Sequence, residues 1–182
     1  MHLTESFLTD WELMKLRLHI VLVEPEIPAN TGNISRTCSI IDSPLHLVHP
    51  LGFDISEKSV RRAGLDYWDE LELHEYQSFE EVKEAYPDGD FYYCTTKAPH
   101  VYSDVDFAKA AQEKDIFLVF GKETKGLPEE LLRENTDKCI RIPMKYNKRS
   151  LNLSNSVAII AYEVLRQENF VNLKKEGMLA DG

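Results

Sequence analysis

Apolar runs alternate with amphipathic segments along most of the chain. The runs predict strands, and segments with apolar positions three or four residues apart predict helices. The predicted strands are His19–Glu24, Leu45–His49, Leu71–Tyr76, Phe91–Thr96, Ile116–Phe120 and Lys138–Pro143. The predicted helices are Asn30–Ile41, Ser56–Ala63, Phe79–Ala85, Asp104–Ala111, Pro128–Glu134 and Leu153–Gln167. This order favours one α/β domain, in which helices cover both faces of a mostly parallel sheet.

The last predicted helix is apolar around most of its circumference. One stripe lies at helical spacing and contains Val157, Ile160, Ala161, Val164 and Leu165. Ala158, Ile159 and Tyr162 make the opposite side apolar as well. A helix of this kind is buried on both faces. We therefore expect a homodimer, with one side of the helix on the sheet and the other on a second copy of the chain.

The composition is that of an ordinary globular domain. Of 182 residues, 43% are hydrophobic and 29% are charged, which is enough to form a core without disulfides or metals. Three scattered cysteines and no CxxC or HExxH spacing argue against a disulfide framework and a zinc site. No apolar run is long enough to span a membrane, and the first residues lack a signal-peptide pattern. We expect a reduced, cytoplasmic protein without metal.

The domain boundaries follow the same pattern. Residues 1–17 precede the first strand and are expected to be an extension, either short and helical or from a misassigned start, for which Met14 is the alternative. Residues 18–168 form the predicted domain. Residues 169–182 become polar and are expected to be a frayed tail.

The charge is unfavourable for a general nucleic-acid binder. The formal net charge is −10, so phosphate is repelled at long range. Locally, however, Arg141, Lys145, Lys148 and Arg149 cluster, and Arg61–Arg62 form a second basic pair. An acidic body with one basic face can still bind RNA, with a strong dependence on salt.

Three unusual polar segments follow predicted strands, at the edge where ligands bind to parallel sheets. The first is PEIPANTGNISRTC, in which Asn30 and Arg36 are close enough on a helix to share a side; the alternative is a capping Asn and a solvated Arg. The second is FGKETKGLPEEL, which lacks the spacing of a phosphate-binding P-loop. The third is RIPMKYNKRSLNLSN, where serines and asparagines crowd a helix start.

Together these segments resemble the three motifs of the SPOUT (SpoU-type) RNA 2′-O-methyltransferases, in that family's order. EPEIPANTGNISRTC, RRAGLDYW, FGKETKGLP and RSLNLSN are similar to the small members that methylate the wobble cytidine or uridine of tRNA, with leucine isoacceptors as the expected substrates. The resemblance spans about residues 18–168. It implies a C-terminal deep trefoil knot, S-adenosylmethionine as cofactor and a tRNA anticodon stem-loop as partner.

The resemblance also implies site residues. The implied cofactor contacts are Cys94, Gly121, Glu123, Ile142, Met144, Ser150, Leu151 and Asn152. Gly121 is expected to leave room for the adenosyl group, while Glu123 and Asn152 are expected to orient loops by hydrogen bonds. The implied catalytic residues are Arg36, Asn30 and Ser150, and the implied RNA-binding residues are Arg61, Arg62, Lys145, Lys148 and Arg149.

Two other interpretations remain open at this stage. One is a non-catalytic α/β module that binds RNA or a small ligand, which the acidic charge favours slightly. The other is a 2′-O-methyltransferase that acts on a different RNA. Binding of S-adenosylmethionine followed by methyl transfer to tRNA separates the enzyme from the binding module.

Overall fold

The computed structural model describes residues 18–55 and 71–179. The strands are β1 Leu18–Val23, β2 Leu45–Val48, β3 Leu73–Tyr76, β4 Asp90–Cys94, β5 His100–Val101, β6 Ile116–Phe120 and β7 Cys139–Arg141. The helices are α1 Pro28–Ile40, α2 Phe79–Ala85, α3 Phe107–Ala111, α4 Glu129–Glu134 and α5 Leu153–Gln167.

The strands form one seven-stranded sheet in the order β3-β2-β1-β6-β4-β7-β5. Every pairing between neighbouring strands is parallel. The two central strands, β1 and β6, pair from Leu18 with Ile116 to Leu22 with Phe120. All their residues are buried, as expected for strands covered on both faces. The predicted α/β class with a parallel sheet is confirmed.

Side chains of the sheet point alternately to its two faces and pack into two separate hydrophobic cores. Leu18, Ile20 and Leu22 of β1 pack with residues of α1, α3 and α5 on one face. Val21 and Val23 pack with residues of α2 and α4 on the other. This period-two alternation places helices on both faces of the sheet, as predicted.

Three predicted elements have the observed bounds: Phe79–Ala85, Ile116–Phe120 and Leu153–Gln167. The helix predicted over Asp104–Ala111 starts late, because a 3-10 turn occupies Tyr102–Asp104 and the α-helix begins at Phe107. The carboxylate of Asp106 accepts a hydrogen bond from the backbone N–H of Lys109 at 3.0 Å. A capping side chain of this kind sets the start of a helix.

Two other predictions differ from the structure. The two-residue strand β5, His100–Val101, was not predicted, because two residues carry no detectable period. The helix predicted to start at Pro128 begins at Glu129, and Pro128 occupies the capping position before it. The helix predicted over Ser56–Ala63 lies outside the described residues.

The end of α5 leads into a packed turn. Phe170 and Leu173 lie against the core formed with α1 and α5. Three residues of this turn, Asn169, Phe170 and Asn172, have positive φ angles of 53°, 53° and 65°. The first part of the segment predicted to be a frayed tail is therefore attached to the domain, whereas Met178 and Leu179 are almost fully exposed.

The two sides of helix α5 are buried to different extents in the single chain. Val157, Ile160 and the rest of the predicted stripe are buried against the sheet. Ile159 and Tyr162, on the opposite side, remain 37% and 42% exposed in the single chain. Burial of both faces is therefore not achieved within one chain. In the described part of the chain, no helix has the length and apolar character needed to cross a membrane.

Candidate functional site

A cavity of about 690 Å³ opens at the carboxyl edge of the sheet; we call it the edge cavity. The segments that follow β1, β4, β6 and β7 all contribute to its walls, together with the start of α5. All eight residues implied as cofactor contacts line it: Cys94, Gly121, Glu123, Ile142, Met144, Ser150, Leu151 and Asn152. Gly121 and Ser150, which are distant in sequence, therefore lie on the same cavity.

Three of the cavity's polar side chains form a continuous chain of hydrogen bonds. The side-chain amide of Asn30 donates to Oε1 of Glu123 at 2.9 Å. The side-chain amide of Asn152 donates to Oδ1 of Asn30, also at 2.9 Å. Each residue comes from a different polar segment, so this network joins the three segments directly. It has the loop-orienting geometry that the resemblance implied for Glu123 and Asn152.

The Glu123 side chain also accepts hydrogen bonds from backbone N–H groups at the start of α1, a role that a capping residue next to the helix usually fills. Ile27 is the residue at the capping position, and its side chain makes no capping hydrogen bond. Instead, the backbone N–H groups of Glu26 and Ile27 donate to the Glu123 carboxylate at 2.8 and 3.2 Å. Helix starts leave such N–H groups without intrahelical partners and attract negative charge. Asn30 is thus free of the capping role considered for it and bonds across the cavity instead.

Asn152 is the residue that caps α5. Its Oδ1 accepts hydrogen bonds from the backbone N–H groups of Ser154 and Asn155 at 2.9 and 3.4 Å. Since the same side chain also donates to Asn30, one amide group both starts the last helix and holds it against α1. The crowding of polar residues at this helix start therefore has a partly structural cause.

The loop after β1 (residues 24–27, the β1 loop) is attached to the loop after β6 (residues 121–127, the β6 loop) by two acidic side chains. The Glu26 carboxylate accepts from the backbone N–H and the hydroxyl of Thr124 at 3.1 and 2.7 Å. These hydrogen bonds lower the pKa of Glu26 below its usual value. Glu24 forms an ion pair with Lys122, and this hydrogen bond raises the pKa of Lys122.

Gly121 is required by the shape of the β6 loop itself. A Cβ atom on Gly121 would lie 2.1 Å from the carbonyl carbon of Gly126 and 2.2 Å from the backbone nitrogen of Leu127. Gly126 has a φ of 71°, a conformation that favours glycine. The absence of a side chain at Gly121 therefore has a physical cause within the chain, in addition to the expected approach of an adenosyl group.

Cys94 ends β4 at the cavity wall. Burial raises the pKa of its thiol well above the usual value, so the thiol stays protonated at neutral pH. A protonated thiol is a poor nucleophile. The residue is therefore suited to lining the cavity and offers no reactive thiolate.

Asn30 and Arg36 do not share a side of α1. Asn30 is only 5% exposed and faces the cavity, whereas Arg36 is exposed and is not part of the cavity wall. The reason is helical geometry: at about 3.6 residues per turn, a separation of six residues is roughly 120° around the axis. Within a single chain, the implied catalytic arginine is therefore separated from Asn30 and Ser150.

The structure describes three of the five basic residues that the resemblance implies in RNA binding. Arg149 lies in the cavity wall, and Lys145 and Lys148 are exposed on the same loop before α5. Arg61 and Arg62 lie outside the described residues. The three described residues of this set therefore lie in or beside the cavity wall.

Sequence reasoning missed part of the cavity wall. Thr95, Thr96 and Lys97 follow β4, and Arg141 is the last residue of β7. The rule that ligands bind beyond the carboxyl ends of parallel strands applies to β4 as well, and it would have included the segment after Cys94. In the described residues, no group of histidine, cysteine and carboxylate side chains has an arrangement that could hold a metal ion.

Comparison with known proteins agrees with this architecture. The model of the SpoU rRNA methylase family matches residues 17–162. The chain belongs to the SpoU rRNA methylase family. SpoU proteins similar to it include one from Listeria monocytogenes, provisionally named tRNA (cytidine(34)-2′-O)-methyltransferase, at 57% identity over 87% of this chain and 92% of the relative.

Solved structures of SpoU-type proteins show the same fold. One from Bacillus anthracis, provisionally an RNA methyltransferase, has a TM-score of 0.82 and 49% identity over 87% of this chain and 99% of that one. A second solved structure is described as giving insight into the 2-OH methylation of C/U34 on tRNA. It has a TM-score of 0.76 and 40% identity over 85% of this chain and 97% of that one. The chain therefore matches these relatives over nearly their whole length.

Proposed function

We propose that this chain transfers a methyl group from S-adenosylmethionine to the ribose 2′-hydroxyl of the cytidine or uridine at position 34, the wobble position, of tRNA. The observation that carries the proposal is the convergence of all eight implied cofactor residues on the edge cavity. The names of close relatives support the nucleotide and the chemistry. Leucine tRNAs are the proposed substrates because of the resemblance of the motifs.

The edge cavity fits the proposed cofactor. Its volume is within the roughly 300–1,000 Å³ typical of small-molecule sites. Leu127, Ile142 and Leu151 offer apolar surface to an adenine ring, while Ser150 and the exposed backbone of the β6 loop offer polar groups. When bound, S-adenosylmethionine supplies an activated methyl group on a sulfonium. The protein's own task is to align the acceptor and to exclude water.

Arg36 is proposed to stabilise charge rather than to accept a proton. A guanidinium is protonated at any working pH and has no acceptor site. It can hold the 2′-oxygen and a neighbouring phosphate while negative charge develops on the oxygen. Asn30 acts as a positioning residue, because both ends of its side-chain amide are engaged with Glu123 and Asn152. Ser150 is exposed at the cavity and can contact the acceptor ribose.

A homodimer would explain the location of Arg36. The exposed apolar side chains include Ile40 on α1 and Ile159 and Tyr162 on α5. Pairing of these surfaces would bury them against a second copy, as the apolar pattern of α5 predicts. We propose that Arg36 then acts at the edge cavity of the partner subunit, since it does not line the cavity of its own chain.

The proposed C-terminal trefoil knot is supported by the contribution of residues 140–142, 144 and 149–153 to the same cavity as the β6 loop. Lys145, Lys148 and Arg149 are proposed to contact the phosphates of the anticodon stem-loop. Their neutralisation is expected to flatten the salt dependence of tRNA binding; an unchanged slope would place the RNA elsewhere. A tRNA substrate also implies a cytoplasmic location.

Methylation assays test the role of Arg36. With labelled S-adenosylmethionine and tRNA, Arg36→Ala is expected to abolish methyl transfer while its calorimetric affinity for the cofactor stays within a few-fold. Methylation by this variant at the parental rate would show that the proposed role is wrong. Absence of methylation by the unmodified protein would instead contradict the proposed function itself.

Mixed dimers test whether Arg36 acts across the interface. Arg36→Ala and Ser150→Ala proteins are each expected to be inactive. When they are unfolded and refolded together in equal amounts, half of the dimers are mixed, and each mixed dimer has one site with both intact residues if Arg36 acts on the partner. About a quarter of the parental activity is then expected. No recovery would place Arg36 at the site of its own chain.

A further inference from the structure

Arg141 occupies a distinctive place in the wall of the edge cavity. It is the last residue of β7, with Val101 of β5 as its register partner on one side. On the other side is the segment after β4, where the backbone N–H of Thr95 donates to the carbonyl oxygen of Ile140 at 2.9 Å. The residue is partly buried and lines the cavity. In the sequence it was counted only as part of a basic cluster, and it is not among the implied cofactor contacts.

The guanidinium of Arg141 lacks a partner within the described residues. Its Nε is buried and makes no hydrogen bond. Two other cations of the cavity wall, Lys97 and Lys122, are paired with Glu129 and Glu24. Arg141 therefore differs from them in having no carboxylate partner among the described residues.

An unpaired arginine nitrogen in a cavity wall is energetically unfavourable. A buried donor without an acceptor costs free energy, and the cost is larger when the donor is charged. An acceptor on a bound ligand would remove that cost. A carboxylate is the best complement, because it can accept two parallel hydrogen bonds from a guanidinium.

The location of Arg141 favours a carboxylate on a small ligand over a phosphate of RNA. Lys125 and Arg149 line the same cavity but are exposed, so an approaching nucleic-acid backbone reaches them first. The Nε of Arg141 has almost no exposed surface, but the side chain as a whole is only partly buried and lines the cavity. A carboxylate on a ligand held within the cavity can therefore approach the guanidinium more closely than a polyanion outside.

We propose that Arg141 binds the carboxylate of the methionine moiety of the cofactor. This inference rests on the proposed function, because it assumes that S-adenosylmethionine occupies the edge cavity. It assigns to Arg141 the recognition of the amino-acid end of the ligand, while the loop residues around Gly121 contact the adenosyl end. Arg141 is thus a binding residue and takes no part in proton transfer.

A pair of ligands isolates this contact. S-adenosylhomocysteine carries the amino-acid carboxylate, whereas 5′-methylthioadenosine has the same adenosyl thioether without it. Calorimetry is expected to show that Arg141→Met weakens binding of S-adenosylhomocysteine by about 10- to 100-fold, the range for hydrogen bonds between charged groups. Binding of 5′-methylthioadenosine is expected to change less than about threefold, which also shows that the variant is folded. Methionine retains much of the apolar stem of arginine.

Two further variants complete the test. Arg133→Met removes an exposed arginine of α4 that is outside the cavity, and it is expected to alter neither affinity. Arg141→Lys keeps the charge but cannot donate two parallel hydrogen bonds to a carboxylate. An intermediate loss of affinity for S-adenosylhomocysteine is therefore expected. Equal weakening of both ligands by Arg141→Met, or no weakening of either, would overturn the inference. Unchanged ligand affinities with weaker tRNA binding would assign Arg141 to RNA phosphate instead.

These outcomes are separate from failure of the proposed function. If the unmodified protein binds S-adenosylhomocysteine but methylates no tRNA, the proposed function is wrong and the ligand comparison can still be made. If it binds neither ligand, the assumption about the edge cavity fails and the role of Arg141 fails with it.

Discussion

The side-chain amide of Asn30 donates a hydrogen bond to the Glu123 carboxylate at 2.9 Å, across 93 positions of sequence. Asn30 is almost fully buried, and Glu123 uses the same carboxylate to accept from the first backbone N–H groups before α1. The contact therefore fixes the start of α1 against the β6 loop. It also fixes α5, because Asn30 accepts from the amide of Asn152.

Replacing the amide of Asn30 by a carboxylate tests this contact. In Asn30→Asp, two carboxylates face each other where a donor met an acceptor, so we expect the free energy of unfolding to fall by about 2–4 kcal/mol at pH 7. Urea unfolding measures the loss. Glu123→Gln should restore part of it in the double variant, because an amide can again donate across the gap, although the amide nitrogen no longer accepts from the N–H of Ile27. Additive losses in the two variants would show that the residues are not coupled.

Gly121→Ala tests the closure of the β6 loop. The added Cβ would overlap the backbone of Gly126 and Leu127, so that segment must move. We expect a loss of about 2–4 kcal/mol in the free energy of unfolding, together with weaker cofactor binding measured by calorimetry. Gly177→Ala is the matched control, since its Cβ would meet nothing within 4 Å. Equal stability of the two variants would contradict the close approach between Gly121 and the backbone of Gly126 and Leu127.

Much of the fold can be predicted from the sequence because its signals are local. The runs at Ile116–Phe120 and His19–Glu24 are continuous and apolar, and they become the two buried central strands. By contrast, the cap of α1 comes from Glu123, in a loop that is distant in sequence, so no local pattern at Ile27 reveals it. The exposure of one side of α5 also depends on assembly, which a single-chain pattern does not specify.

The same distinction applies to the site. The rule about strand ends and the resemblance together predicted eight of the residues that line the edge cavity, but not Thr95, Thr96 and Lys97. The positions of Asn30 and Arg36 on different sides of α1 follow from helical geometry that six-residue spacing alone conceals. Arg141 was counted only as part of a basic cluster, because whether its Nε finds a partner depends on tertiary contacts.

Ile159→Glu tests the proposed homodimer. This side chain is 37% exposed on the unpartnered side of α5, so a charge there should prevent burial against a second copy. We expect sedimentation at micromolar concentration to change from dimer to monomer. Ala85→Glu adds the same charge at an exposed position on α2, on the opposite face of the sheet, and should leave the dimer intact. A monomeric unmodified protein would contradict the proposal directly.

Acid is expected to destabilise the protein through His46. This side chain is fully buried and its Nε2 is 2.9 Å from Nδ1 of His19. Burial, followed by the charges of His19 and His74, lowers the pKa of His46 to about 3. The unfolded chain, with an ordinary histidine pKa near 6.5, therefore binds more protons between about pH 6.5 and pH 3. Stability is fully present above about pH 6.5 and is lost as the pH falls.

The contribution of His46 is up to about 1.4 kcal/mol per pH unit in that window. Urea unfolding at pH 7, 6, 5 and 4.5 measures the slope. His46→Phe fills the site without a titrating group and should reduce the slope by about 1 kcal/mol per unit, although its stability at pH 7 is lower. The same slope in both proteins would assign the acid sensitivity to groups other than His46.

The most direct measurement is mass spectrometry of nucleosides and fragments from tRNA that has been incubated with the purified protein and S-adenosylmethionine. The account predicts one 2′-O-methylated cytidine or uridine per molecule of leucine tRNA, located at position 34. It also predicts that this product is lost when the three loops no longer meet, as in Gly121→Ala. A methyl group found on a base or at another ribose, or no transfer despite cofactor binding, would contradict it.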